Sequence, residues 1–332
     1  MAKYYINILI DILFQRRIPF INKLYDSGVF FLNSILLIIF HRKNKEKLVN
    51  HFYVIVMPHT LHLLLPCLSL LPKKTNIFLL LNGIAAWEKE YVKTEFKRYP
   101  RIEMISRKHK IPHGMVLDLL FANNKSNFGI LDSDCYIFNK SIVEELALDK
   151  NDFAAGVFFL KNKKTNILFP ETFFMFFNTK RIKEIQSKYK ISCRVYHKIP
   201  SRLEGKLMEM DIGYHNFPFE PLPYFDTMRL VFSMAFYEKL VFKKIAVSKD
   251  EAIHVGRVSF DFDAKTAPDL AIRANYFHNK ILEITEDPIL RKMYLSFFKS
   301  NISLEVKENY KNLGLTEIDN LISKLEKWFL NS

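Results

Sequence analysis

Asp132 and Asp134 are the residues of this chain best suited to do chemistry. They stand in Phe128-Gly129-Ile130-Leu131-Asp132-Ser133-Asp134-Cys135-Tyr136-Ile137-Phe138, between two apolar runs. Phe128 to Leu131 has the length and character of a strand buried on both faces, and the acids follow at its carboxyl end. Residues i and i+2 of a strand share a face, so the two carboxylates are set to act together. Ser133 is small enough for a ligand to approach the backbone. Such a pair offers hard oxygen ligands to a divalent cation, and the cation can hold a diphosphate. Spacing by itself is weak, since about one Asp-x-Asp is expected by chance in a chain this long. A second instance, Asp261-Phe262-Asp263, has a bulky residue between its acids and runs into a polar Lys-Thr-Ala-Pro turn. A solvated turn after a core strand is the plain alternative for Asp132 and Asp134. Their context sets them apart.

The elements that must position the acids alternate. His51 to Met57 reads as a buried strand ending at Pro58-His59-Thr60, and Leu61 to Leu71 as a helix that Pro66 can kink. Asn76 to Leu81 is a strand ending at Asn82-Gly83. Ala85 to Tyr99 is a charged amphipathic helix, Ile102 to Ile105 a short strand, and His113 to Asn123 a helix. Continuous apolar strands alternating with helices predict a mostly parallel sheet with helices on both faces. Ligands of such sheets bind outside the carboxyl ends of the strands. Pro58-His59-Thr60, Asn82-Gly83 and Asp132-Ser133-Asp134 should therefore converge on one crevice. Further on, Phe153 to Phe159 and Glu171 to Phe177 read as strands around a Lys161–Asn166 loop. Arg181 to Tyr189 is a short helix, and the aromatic, proline-rich stretch Gly213 to Phe225 a loop over a site. Asp226 opens a helix over Met228 to Leu240 as its N-cap. Ala252 to Arg257, with His254, ends the core, and from Pro268 the chain is helical and amphipathic. Three regions are expected: a helical extension over 1–48, a catalytic domain over 49–265 and a helical region over 266–332.

Composition is that of a globular protein: 332 residues, 49% hydrophobic and 25% charged. The net charge of +14, from 49 Lys and Arg against 35 Asp and Glu, favours anionic partners without choosing among nucleic acid, acidic lipid and phosphorylated small molecules. Cys67, Cys135 and Cys193 lie far apart, in neither a zinc nor a disulfide pattern, which suits a reducing cytoplasm. Val29 to Phe40 is very apolar but short for a spanning helix and contains Asn33 and Ser34. No small-residue cleavage site follows it, so a signal peptide is not expected. Arg16, Arg17 and Lys23 precede it and a His41–Lys47 basic run follows. Two readings stay open: a helix lying in an anionic membrane interface on the inner face of the plasma membrane, and a helix packed on the catalytic core.

The ordered set of a strand with Pro58-His59-Thr60, a strand with Asn82-Gly83, His113-Gly114 opening a helix, Leu131-Asp132-Ser133-Asp134, Asp226-Thr227 and a late His254 resembles the GT-A class of nucleotide-sugar glycosyltransferases, especially bacterial family-2-like enzymes. The resemblance spans roughly residues 51 to 260. It implies a Rossmann-like α/β fold and transfer of a sugar from a nucleoside-diphosphate donor to a glycan or glycolipid acceptor, with Mn²⁺ or Mg²⁺, in surface polysaccharide or lipopolysaccharide synthesis. It implies Asp134 as a direct metal ligand and Asp132 as a contact to ribose or metal, with His254 a further ligand or a phosphate contact. Pro58, His59, Thr60, Asn82 and Gly83 would line the nucleotide, and His113 and Gly114 either put a helix N-terminus near phosphate or merely start a helix. An acceptor hydroxyl needs a base if the reaction inverts; Asp226, after the aromatic loop, is the first candidate, with Asp211 and Glu171 as alternatives. Arg107-Lys108-His109-Lys110 either draws in the donor or is a solvated loop. The chain departs from family 2 at Asn82, where an acid often meets the nucleobase, and at Phe225-Asp226, where Glu-Asp is frequent. It has no Gln-x-x-Arg-Trp motif of processive synthases.

Two other classes are weighed against this. A nucleotidyltransferase would carry a Gly-rich loop with Arg and Lys after the first strand, and Pro58-His59-Thr60-Leu61-His62 has none. A basic nucleic-acid-binding protein would gather its cations and exposed aromatics on one face, whereas here the cations are scattered and most Phe lie in core-like runs. No nucleic-acid partner is expected.

Overall fold

The computed structural model describes residues 19–106, 110–162, 164–213, 225–256, 268–294, 298 and 314–330. Residues 1–18, Arg107-Lys108-His109, residues 214–224 of the aromatic loop, Arg257 and the Asp261/Asp263 pair lie outside them. Helix α1 (Pro19–Lys43) is followed by β1 (His51–Val56), α2 (Leu61–Leu70), β2 (Asn76–Asn82), α3 (Ala86–Glu95), β3 (Arg101–Met104), α4 (His113–Asn123) and β4 (Phe128–Leu131). Each was expected from the strand–helix alternation, within a few residues. Helix α3 ends at Glu95, with Phe96 as its cap, short of the expected Tyr99.

Past the acids come β5 (Cys135–Ile137), α5 (Ser141–Glu145), β6 (Asp152–Gly156), β7 (Phe159–Lys161), β8 (Leu168–Pro170), β9 (Phe174–Phe177), α6 (Thr179–Tyr189), α7 (Ser201–Glu209), α8 (Arg229–Tyr237), β10 (Val241–Lys244) and β11 (Ala252–His254). The helices α9 (Pro268–Thr285), α10 (Pro288–Tyr294) and α11 (Leu315–Leu330) follow. Phe153 to Phe159 is not one strand. Its first part, β6, pairs with β9 and β10 in the main sheet, while Phe159 turns away to pair with Pro170 of β8.

The main sheet has seven strands in the order β10-β6-β9-β4-β1-β2-β3. The pairs β1–β2, β1–β4, β2–β3 and β6–β10 are parallel, and β9 alone runs antiparallel to its neighbours β4 and β6. The chain leaves β1 toward β2 and β3 on one side and returns to β4 on the other. This reversal beside β1 is where a parallel sheet opens a crevice at its carboxyl edge. The loops after β1, β2 and β4 are therefore neighbours, as their sequences imply.

Both faces of the sheet are buried, and the strand period of two sorts the residues between them. Phe52, Val54, Val56, Ile77, Leu79 and Leu81 pack against α2, α3 and the carboxyl-terminal helices. Tyr53, Ile55, Phe78 and Leu80 pack against α1, α4, α6 and α8. The terminal helices are thus outer layers of one sandwich. Several side chains fasten helix α1: Asp26 pairs with Arg194, Ser34 accepts from Asn123, and Asn33 and His41 reach the sheet. Asn33 completes the end of the β3 edge, its amide donating to the Ile105 carbonyl at 2.9 Å and accepting from the Ile105 N–H at 2.8 Å. His41 meets the buried Tyr53 hydroxyl at 2.6 Å, and that hydroxyl donates to Asn124. Of the two readings of Val29 to Phe40, packing on the core is seen directly for one face of the helix.

Candidate active site

The acids occupy a tight turn between β4 and β5. The Asp132 carbonyl accepts from the Cys135 N–H at 3.1 Å, and the Asp132 N–H donates to Phe173 at 2.8 Å. The turn, rather than strand alternation, brings the two carboxylates together. The small antiparallel ribbon of β5 and β11 adds the third member. It sets His254 opposite Cys135, and the Val255 N–H continues the ladder onto the Asp134 carbonyl. Ligand atoms of Asp132, Asp134 and His254 all lie within 4.8 Å of one another, forming a candidate metal-binding triad.

Asp134 is 1% exposed. Neither of its carboxylate oxygens has a hydrogen-bond donor among the described residues. His254 Nε2 is 3.4 Å from Oδ1, close enough to interact electrostatically but outside hydrogen-bond alignment. A buried carboxylate is costly unless charge or donors compensate it. Burial, the largest single influence, pushes the Asp134 carboxyl up, but His254 and smaller contributions from the backbone and the charge of His278 together hold the group below its usual range. Asp132 is pushed up to about 8 by burial and by the charge of Asp134. Burial disfavours the charged form of His254, yet Asp134 and Asp132 raise it above its ordinary value. Its ring stacks on Phe173 with centroids 3.5 Å apart, which fixes its plane. Two carboxylates and an imidazole, with orphaned oxygens between them, fit a divalent cation.

The predicted nucleotide-side residues divide. Pro58, His59 and Thr60 follow β1, with His59 in a left-handed conformation at φ 62. The Thr60 hydroxyl is spent on the Met57 carbonyl at 2.8 Å. Gly83 has φ 76, a conformation that glycine takes without strain. The Asn82 amide is committed to the backbone of Ile111, donating at 2.9 Å and accepting at 2.7 Å, so it ties β2 to the approach of α4. Glu88, which sequence reasoning missed, joins the first two loops. It accepts from the His59 N–H at 2.8 Å, the Ala85 N–H at 2.7 Å and the Tyr294 hydroxyl at 2.5 Å. Its position three residues after Ala85 was the available signal.

Gly114 serves packing. A Cβ there would lie 2.5 Å from Arg194 Cα and 2.6 Å from the Cys193 carbonyl oxygen. Asp118, one turn along α4, accepts from the Cys193 N–H at 2.8 Å and holds that segment in place. The same segment positions Asp226. The Met228 N–H donates to the Cys193 carbonyl at 2.9 Å, and Phe225 and Tyr196 exchange backbone hydrogen bonds.

Asp226 does not cap the following helix as expected. Helix α8 begins at Arg229, and Met228 at its cap has φ 64. The Asp226 carboxylate instead accepts from the Thr227 N–H at 2.6 Å and is otherwise exposed. Its charge reaches both His113 and Glu171. It partly opposes the burial that lowers the His113 pKa. At Glu171 it adds to burial, which raises the carboxyl despite Arg229. Arg229 is the other residue that the sequence did not reveal. It is buried, and its guanidinium donates to Glu171 at 3.0 Å. Asp211 is elsewhere in character: exposed, beyond α7, and paired with Lys164 at 2.5 Å.

Residues 36–182, from α1 through the acid turn into α6, match the StrH glycosyltransferase N-terminal domain. Over those residues, which hold the first four strands of the main sheet and the acid turn, the chain is similar to a glycosyltransferase domain. Among solved structures it is similar to the glycosyltransferase GlyE of Streptococcus pneumoniae TIGR4, at 11% identity and a TM-score of 0.36, covering 60% of this chain and 46% of that one. It is also similar to residues 1–349 of S. aureus TarS, solved in complex with UDP-GlcNAc, at 12% identity and a TM-score of 0.35, covering 79% of each chain. The chain thus spans less than half the length of the GlyE chain. No curated protein matches it.

Proposed function

We propose that the protein transfers a sugar from a nucleoside-diphosphate donor to a hydroxyl of a saccharide or lipid-linked acceptor, with Mn²⁺ or Mg²⁺, in the synthesis of a bacterial surface polysaccharide or lipopolysaccharide. A position in the cytoplasm, at the inner face of the plasma membrane, belongs to this reading. One observation carries it. The buried Asp134 leaves two carboxylate oxygens without donors, beside Asp132 and His254, at the carboxyl edge of a parallel sheet.

Asp132, Asp134 and His254 would hold the cation, which when bound neutralises charge developing on the leaving diphosphate. The loops after β1 and β2, joined by Glu88, would receive the nucleoside. Asp226, free of a capping role, would take the proton of the acceptor hydroxyl as that oxygen bonds to the anomeric carbon and the carbon–phosphate oxygen bond breaks. The Glu171–Arg229 pair would set the potential around it. The test is a thermal-shift screen of nucleoside diphosphates with and without Mn²⁺. A diphosphate should raise the midpoint of the intact chain only when cation is present. The reading is overturned if no sugar nucleotide or diphosphate shifts the midpoint, or if Asp134→Ala responds as the intact chain does.

A further inference from the structure

Helix α1 is apolar around most of its circumference over Val29 to Phe40. A helix of that kind is normally covered on every side. Here the described residues bury one side only. Val29, Asn33, Leu37 and Phe40 are buried against the sheet layer. At about 100° per residue, Phe31, Leu32, Ile35, Ile38 and Ile39 fall on the opposite arc. They are 64%, 46%, 40%, 42% and 43% exposed. Scattered apolar side chains on a surface need no explanation, but five on one arc form a continuous patch of the kind that marks an interaction site. At the carboxyl end of the helix Arg42, Lys43, Lys45 and Lys47 are all exposed, with Glu46 the single acid among them.

We infer that the outward face of α1 docks on an anionic membrane, its apolar arc entering the headgroup boundary and its basic end meeting lipid phosphates. The charge of the chain selects this occupant. At +14 a second copy is repelled and an anionic bilayer is attracted. Among the described residues no helix is long and apolar enough to cross a membrane, so docking is in the plane of the surface. The two faces of α1 account for its composition: one fastens to β3 through Asn33, and the other meets lipid. The inference names the surface for the peripheral position in the proposed function and rests on that reading for its setting, while its readout is independent of transfer.

The test is cosedimentation of the full chain with phosphatidylglycerol-containing vesicles and with phosphatidylcholine vesicles. The intact protein should bind the anionic vesicles, less at high salt. The double variant Phe31→Ser with Ile35→Ser should bind at least about tenfold more weakly, and Phe31→Ser alone, at the most exposed position, should show part of the loss. Both should keep the intact chain's thermal midpoint and its response to diphosphate with Mn²⁺. Absence of binding by the intact protein, or unchanged binding by the folded double variant, overturns the inference. A dimer that the double variant abolishes, without vesicle binding, assigns the face to a second copy and overturns it too. Either failure leaves the cation-dependent diphosphate response standing.

Discussion

His254 Nε2 lies 3.4 Å from Asp134 Oδ1, although strands β6 to β10 lie between the two residues along the chain. The pairing of β5 with β11 creates this contact. If the triad holds a cation, Mn²⁺ at a hundred times its Kd should stabilise the intact chain by about 2.7 kcal/mol. Asp134→Asn should lose that gain, from an unliganded midpoint below that of the parent, since the buried His254 loses the carboxylate that favours its charged form. Thermal melts with and without Mn²⁺ decide it. An unchanged response in Asp134→Asn counts against the triad.

Asp226→Asn keeps the contact to the Thr227 N–H but removes the proton acceptor. Turnover should fall by about a hundredfold to ten-thousandfold. Thermal stability and diphosphate binding should hold, because the side chain is exposed and does not cap α8. Single-turnover assays beside melts check both halves. Loss of stability with intact turnover would make Asp226 a structural residue.

Gly114→Ala forces a methyl group against the backbone of Cys193 and Arg194. Backbone cannot give way as a side-chain tip can, so the cost should be about 1–3 kcal/mol, measured by urea denaturation. Because the Cys193 carbonyl also receives the Met228 N–H, the variant should lose turnover beyond what its unfolded fraction explains.

His51 is buried among the rings of Tyr53, Phe78 and Phe128. Burial, with the charge of His41, lowers its pKa from 6.5 to about 4. Between those values the unfolded chain binds a proton that the folded chain refuses. Its contribution to stability is therefore complete above pH 6.5 and is lost as pH falls to 4. His51→Phe should reduce the stability lost between pH 7 and pH 4 by up to about 3 kcal/mol. Urea titrations at pH 7, 5.5 and 4 measure this. Parallel acid loss in both proteins would exclude His51 as a source.

The sequence by itself determined the layered α/β fold and the sheet edge on which the acid turn lies. Apolar runs such as Val54 to Val56 and Leu79 to Leu81, bounded by turn residues, read as strands covered on both faces. The breaks after them, at Pro58-His59-Thr60, Asn82-Gly83 and Asp132-Ser133-Asp134, lie at the carboxyl ends of those strands. These signals are local, set by periodicity and by residues that end strands. What only the tertiary structure decided is which side chains of those loops remain available to a ligand. Asn82 is used up on Ile111, Gly114 is occupied by the backbone of Cys193 and Arg194, and Glu88 and Arg229 act on partners that no spacing announces. The cap of the helix moved from Asp226 to Met228, which takes a left-handed conformation while its N–H is drawn to Cys193. The apolar character of α1 was plain in the sequence, but one face went to the core and the other outward because β3 and α4 offer only one surface to pack against. Hydrogen bonds and packing between distant segments are satisfied once for the whole chain, and that global accounting is absent from any local pattern.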